Sequence, residues 1–409
     1  MGKALHEKLV LGSLILILAS LPGSKYLLSV GMIGLLVLAF IHPDRQKHWQ
    51  GFLAYRPFVA VTGIFFLFAI SGLWSSDLDY FRGRLRIMLP FLILPFAVAS
   101  IPDLSRKRLL ALFYFFFGAI SFSAVLVFTH YLLNYEVIND AIRQSRCMPT
   151  PCNHIRYSLM IAFSILIGIQ LIRERFYLWR SWERWLISGF TLFLLIFLHV
   201  LSVRSGIVAF YAALSLWGVF LILQKGKWWQ VLLFVGFMLA FPFSAYQTIP
   251  GFQNKVNLTW WNYLMFKEGN IKNYSDTQRL YSFGVAFQLI EDNPMLGVGL
   301  GDVKKEVYQI YEEKYIQLDK MMPHNQYLFV LTATGIIGLL VFLFLLLYPI
   351  FYKRNFKRPL FLAFNLIILM SFMVENTLGT STGVGFYLIF LLLCLQYFRL
   401  EAPSVTDPD

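Results

Sequence analysis

The chain has 409 residues, of which 58% are hydrophobic and 14% charged, with a mean hydropathy of +0.64. Water-soluble domains carry nearer a quarter charged residues, so an ordinary soluble globule is excluded. The net charge of +13 raises a nucleic-acid reading, but the placement of those charges fits membrane topology better.

Apolar runs recur from end to end, each near the length at which a helix crosses the hydrocarbon core of a bilayer. Twelve spans are predicted, at 9–22, 26–42, 52–74, 87–101, 109–133, 156–172, 185–202, 206–224, 230–247, 325–350, 359–376 and 384–398. The first resembles a signal peptide, with Lys3 and Lys8 before an apolar stretch that ends at Ala19-Ser20. A second span follows at once and no soluble body comes after it, so an uncleaved first helix is expected. With the N-terminus inside, 19 of the 35 Lys and Arg fall in inside segments, 8 in short outside loops and 8 in one long outside loop. That bias is the positive-inside pattern and puts both termini in the cytoplasm. The expected architecture is an all-α polytopic membrane protein. A single domain covers 1–400, an outside loop at 248–323 sits between spans nine and ten, and 401–409 form a short cytoplasmic tail.

The outside arginines run against the bias and need another reason. Arg82, Arg84 and Arg86 stand at the top of span four in YFRGRLRIMLP, and Arg156 follows His154 at the top of span six. Arg204, in SVRSG, lies where span seven hands over to span eight, a connection so short that the charge sits at the membrane edge. Charge there is costly and usually functional. Each arginine alone could be explained by snorkelling or an ion pair. Together they point to an anionic ligand, because guanidinium grips phosphate with two prongs. Asp77-Leu78-Asp79 is a D-x-D in the second outside loop, but no His, Cys or Asp cluster supports a metal there. Cys147 and Cys152 flank Met-Pro-Thr-Pro outside, where a disulfide and two free thiols are equally open.

The 76-residue insertion at 248–323 is too long for a connector, which marks it as functional. In SDTQRLYSFGVAFQLIEDNP, Ser275 and Gln278 fit a capping box and Asn293-Pro294 ends the run. Apolar positions 280, 283, 287 and 290 share a face that should lie on the membrane or the bundle. Arg279 sits on this helix. GVGLGD at 297–302 lacks the preceding strand of a nucleotide-binding unit, so a turn at the membrane surface is expected. A polar helix capped by Asp302 follows.

The insertion ends at MMPHNQYLFVLTATGIIGLLVFL, residues 321–343. Gly335 and Gly338 fall on the helical face below His324, which leaves a smooth stripe for helix packing or a slot for a lipid chain. Pro323 fixes the turn that presents His324 and Asn325. A histidine base beside phosphate-binding arginines at an outward membrane face suggests transfer from a lipid-diphosphate sugar. The arginines would hold the departing diphosphate while His324 takes the acceptor's proton.

His324-Asn325, nine residues, Gly335, two residues and Gly338 resemble the signature of the O-antigen ligase-like family of bacterial membrane glycosyltransferases, ligases and polymerases alike. The large loop before the histidine, PMLGVGLGD within it and the arginine turn two spans earlier are also similar. The resemblance implies a metal-independent, cofactor-free, inverting glycosyltransferase of the bacterial inner membrane. Its active site would face the periplasm, its donor would be an undecaprenyl-diphosphate-linked glycan, and no nucleic acid would be involved. It implies His324 as the acceptor-activating residue and Arg204 and Arg279 at the donor diphosphate. Here the arginine turn reads Val-Arg-Ser-Gly, where the family more often has Ser-Arg before Gly or Ala. Asn325, Arg82, Arg86, Arg156, His154 and Glu375 are the supporting residues, and Glu375-Asn376 resembles a recurrent family position. The short tail argues against the protein-glycosylating members. Lipid A core sugar is the preferred acceptor, and a growing lipid-linked glycan is the alternative. A lipid-linked-glycan flippase is the rival of a different class.

Overall fold

The computed structural model of the chain describes residues 3–42, 44–101, 104–144, 146–225, 228–267 and 275–401. Among them every regular element is helical and none is a strand. A helix pairs its own backbone groups where no water can, which suits these apolar runs. In chain order the α-helices are α1 (Lys3–Ser20), α2 (Lys25–Ile41), α3 (Arg45–Ala54), α4 (Arg56–Ile70), α5 (Leu78–Ala99), α6 (Arg106–Leu133), α7 (Tyr135–Arg143), α8 (His154–Arg173), α9 (Glu183–Leu201), α10 (Arg204–Lys225), α11 (Trp228–Thr248), α12 (Pro250–Lys267), α13 (Ser275–Asp292), α14 (Val303–Lys314), α15 (Gln326–Phe351), α16 (Pro359–Val374) and α17 (Ser381–Glu401). The expected tail beyond Glu401 falls outside the described residues.

Among the described residues seven segments are long and apolar enough to cross a membrane: Arg56–Trp74, Arg106–Leu133, His154–Arg173, Glu183–Leu201, Trp228–Thr248, Gln326–Lys357 and Ser381–Glu401. Shorter apolar helices occupy Lys25–Ile41, Arg204–Phe220 and Pro359–Val374. The expected spans at 9–22 and 87–101 lie in α1 and α5 and belong to neither group. Each of these helices carries clustered charges, Lys3, Glu7 and Lys8 in one and Asp79, Arg82, Arg84 and Arg86 in the other.

Helix starts follow local chemistry. Ser24 accepts from the Leu27 N–H, Ser105 from Arg108, and Asn153 from Ile155 and Arg156, each satisfying donors that have no intrahelical partner. Pro57 and Pro359 occupy first turns, where a missing N–H costs nothing. Helices α8 and α17 form the centre and are almost wholly buried, whereas α11 stands at the periphery with nearly all of its length exposed or half-exposed. Phe113, Phe163, Phe364 and Phe390 interlock between α6, α8, α16 and α17.

The 250–314 region folds into α12, α13 and α14. On α13 the bundle-facing side is Ser282, Val285, Ala286 and Leu289, all buried. The expected stripe of 280, 283, 287 and 290 is offset from it, and Leu280 and Phe287 are exposed. The Ser275 side chain lies outside the described residues. Gln278 donates to the Asp319 carboxylate (3.2 Å).

The smooth face below His324 has a different use from either expected one. Helix α15 breaks at Gly335, whose φ of 64° and ψ of −171° are not helical. The segment Pro294–Gly299 docks into that break. Val298 and Gly299 N–H donate to the Thr332 and Ala333 carbonyls (2.9 and 3.0 Å), and Ile336 N–H donates to Pro294 O (2.9 Å). The broken helix's open carbonyls and N–H groups thus find partners in the glycine turn. A Cβ on Gly335 would stand 2.2 Å from the Met295 backbone, so contact with a chain segment, not a lipid slot, requires this glycine. Gly338 packs against the Thr334 side chain of its own helix.

Asp302 precedes α14 but makes no capping hydrogen bond, unlike the expected cap. Its carboxylate accepts instead from Ser76 N–H (2.7 Å), Ser76 Oγ (2.7 Å) and Asp77 N–H (2.8 Å). Burial alone would raise the Asp302 pKa, but these bonds outweigh it and hold the carboxyl below its usual range. The glycine turn is therefore pinned at one end to α15 and at the other to the loop before α5.

Candidate functional site

Two residues, Ser202 and Val203, separate α9 from α10. Ser202 takes a left-handed conformation, φ 55°, which reverses the chain sharply and sets Arg204 at the first position of α10. Its hydroxyl donates to His199 O (2.8 Å), which steadies the turn. The Arg204 guanidinium donates to Thr259 Oγ1 on α12 (2.8 Å). One turn earlier on α12 lies Lys255. Across from them α13 contributes Arg279, and α8 contributes His154 at its first residue.

These side chains surround one cavity of about 400 Å³. Its polar wall carries Arg204, Arg279, Lys255, His154, Thr259 and Asn262, and its apolar wall carries Val208, Leu258, Met370, Met373 and Val374. Three cations face a space rimmed by apolar side chains, a setting that strengthens attraction for an anion. Val208 and Met373 are both more than half exposed, so the apolar side of the cavity opens laterally.

The wall ends at Val374, one residue before Glu375. The Glu375 carboxylate is 12% exposed and lies between two cationic or ionisable groups. Oε1 is 3.6 Å from Nη2 of Arg156, itself 7% exposed. Oε2 is 3.6 Å from Nδ1 of His324, just beyond hydrogen-bond distance. Burial would raise the Glu375 pKa, but the imidazole of His324 and then the charges of Arg156 and Arg279 outweigh it and hold the carboxyl below the ordinary range. Glu375 is therefore an anion facing the histidine.

The rest of this loop is gripped from several helices. Asn325 caps α15, accepting from Tyr327 and Leu328 N–H (2.8 and 3.0 Å), while its Nδ2 donates to Met373 O (3.1 Å). Gln326, fully buried, accepts from Leu378 N–H (2.9 Å). Arg84 donates to Gly379 O (3.2 Å) and lies 4.8 Å over the Phe329 ring. Arg156 also donates to Asn376 O (3.4 Å). The Pro-His-Asn lip thus carries one residue that faces Glu375 and one that ties down the end of α16 just before Glu375.

Other expected site residues lie elsewhere. Arg82 is exposed and pairs with exposed Asp79 (3.6 Å), and Arg86 is exposed. Neither lines the cavity. Within that cluster Arg84 turns inward, which the sequence alone did not single out. Asp77 caps α5 by accepting from Tyr80 N–H (2.9 Å), so both carboxylates of the D-x-D have structural partners. Among the described residues no group of three or more His, Cys, Asp or Glu could hold a metal ion. Cys147 and Cys152 are free thiols, and Cys147 Sγ sits 3.3 Å from His154 Nε2 in the cavity wall. Lys255 and Thr259 escaped sequence reading because the polar residues of α12 show no motif spacing.

Residues 189–343 match the family model described as O-Antigen ligase. The matched stretch holds Arg204, Lys255, Arg279 and His324, while Arg156 and Glu375 lie outside it. Comparison with curated proteins gives no match.

Proposed function

We propose, from the match of residues 189–343 to the O-antigen ligase family model, that the chain is a multi-pass membrane glycosyltransferase of the O-antigen ligase-like family. It moves a glycan from an undecaprenyl-diphosphate carrier to an acceptor hydroxyl, preferably a lipid A core sugar, at the periplasmic face of the bacterial inner membrane. The reading takes the twelve-span topology, with α12 to α14 on the outer side. The observation that carries it is the placement of Glu375 between His324 and Arg156, next to a cavity lined by Arg204, Arg279 and Lys255.

In this reading the diphosphate lies against Arg204, Arg279 and Lys255, and the polyprenyl chain leaves over Val208 and Met373. An anionic Glu375 favours the proton on Nδ1 of His324 and leaves the Nε2 lone pair to act as base. The acceptor oxygen forms a bond to the anomeric carbon from the face opposite the diphosphate, which inverts the centre. Its proton passes to Nε2 as the anomeric C–O bond to the diphosphate breaks. The leaving charge is met by guanidinium and ammonium groups already in place, so little reorganisation is needed. Glu375 then faces an imidazolium, which it stabilises.

The flippase reading needs a polar path through the bundle. In the middle of α8, at the centre of the bundle, Leu159, Met160, Ile161, Ala162 and Phe163 are all buried and apolar, which supports chemistry at one face over transport. The test is glycan transfer by purified protein in EDTA, with a lipid-linked donor offered lipid A core. Core-linked product supports a ligase. Long lipid-linked chains without core product assign a polymerase. Donor crossing a vesicle membrane with neither product overturns the enzyme reading.

A further inference from the structure

A second cavity, of about 450 Å³, lies at the opposite end of the bundle from His324, between the starts of α6 and α16 and the ends of α8 and α17. Its rim carries Arg106, Arg173, Lys357 and Arg358, and its interior is Leu109, Leu110, Phe113, Leu360, Phe361 and Phe398. Two of these cations are already engaged. Arg106 pairs with Glu174, which Gln170 also binds. Arg358 pairs with Glu401 (2.6 Å) and stacks 3.9 Å over the Phe398 ring. Arg173 and Lys357 are exposed and make no ion pair among the described residues. Four cations thus meet two carboxylates. The N-termini of α6 and α16 also open toward this space, adding partial positive charge from their free N–H groups.

We propose that this cavity binds the headgroup phosphate of an anionic phospholipid, with an acyl chain along its apolar wall. The cationic rim answers the phosphate, and the apolar floor between helices answers the chain. A basic pocket between membrane helices is the setting in which such headgroups are recognised. A soluble phosphate would use the rim and leave the floor empty. The site is separate from the donor cavity and does not depend on the glycosyltransferase reading.

The test uses the full chain, delipidated in uncharged detergent, with thermal stability and native mass spectrometry as readouts. The probes are phosphatidylglycerol, phosphatidylcholine with the same chains, and inorganic phosphate. Phosphatidylglycerol is expected to bind and stabilise, and the other two to do neither. Replacing both unpaired cations, Arg173→Gln with Lys357→Gln, is expected to raise the half-saturating phosphatidylglycerol concentration by roughly 30-fold. Arg56→Gln, an exposed cation outside this rim, is expected to leave it unchanged. Equal binding of phosphatidylcholine, full effect from inorganic phosphate, or an equal loss in Arg56→Gln would each overturn the assignment.

Discussion

Replacing Glu375 by glutamine keeps the shape of the side chain and removes its charge. The carboxylate faces Arg156 and His324 at 3.6 Å on either side, and Arg156 is only 7% exposed. At an effective dielectric near 20, one such contact has a gross attraction of about 4–5 kcal/mol. Much of that is offset by the desolvation of both groups. Stranding a buried cation nevertheless costs roughly 3–5 kcal/mol, and the amide oxygen of glutamine would recover part of it. A loss of about 3 kcal/mol is expected, or a fall of about 3–4 °C in Tm for a chain of this length. The pH dependence has a definite sign. The folded-state pKa of Glu375 lies below the ordinary value, so its stabilisation is complete above about pH 4.3 and is lost as pH falls through the lowered folded value. The Tm gap between wild type and Glu375→Gln should be full at pH 7 and close in acid. Transfer at saturating donor should fall by roughly 10²-fold, because the base loses its orienting anion, with donor affinity little changed. Thermal unfolding across pH and single-turnover transfer measure both. A variant equal to wild type in Tm and rate, or a Tm gap unchanged in acid, would refute the reasoning.

Other expectations are sharper about position. Gly335→Ala would place a Cβ against the Met295 backbone at a positive φ, so loss of folded protein is expected, read by expression and size-exclusion recovery. Gly236→Ala, where a Cβ meets open space, should fold normally. Asp302→Asn should destabilise by about 2 kcal/mol by weakening charge-assisted bonds to Ser76 and Asp77. Because the folded Asp302 pKa is lowered, that deficit should shrink as pH falls through it. Arg82→Gln, at an ion pair 72% and 97% exposed, should change stability by less than about 0.5 kcal/mol, whereas Arg84→Gln should cost about 2 kcal/mol through the Gly379 and Phe329 contacts. A bulky maleimide should attack exposed Cys147 in the cavity wall and block transfer, with donor protecting. Cys152, pushed up to about 11 by burial, should react slowly. Inhibition that persists in Cys147→Ser would contradict that mapping.

The helical class was legible because long apolar runs leave the backbone few alternatives. His324, Asn325, Arg204 and Arg279 were legible because each broke a local pattern: a polar pair, one of it titratable, at the lip of an apolar run, or a cation on the side that topology disfavours. The partnership at Glu375 was not. Its members are separated by 51 residues from His324 and 219 from Arg156, and no local spacing connects them. The choice among Arg82, Arg84 and Arg86 turned on which way α5 faces, and all three lie in one short polar stretch. The role of Gly335 was hidden by the apolar run around it. Hydrophobic periodicity continues through the break at Gly335, and only the docked Pro294–Gly299 segment reveals why the helix opens there. Asp302 looked like a cap by position, but its carboxylate is drawn to Ser76 and Asp77, 226 and 225 residues away in sequence.

The most direct test of the account is His324→Ala, with donor binding and glycan transfer measured separately on the same preparation. The account predicts that the variant folds, binds the lipid-diphosphate glycan within about threefold of wild type, and transfers at least roughly 10²-fold more slowly, the scale of a missing general base. Transfer at the wild-type rate, or a loss explained entirely by lost donor binding, would contradict the assignment of His324 as the base.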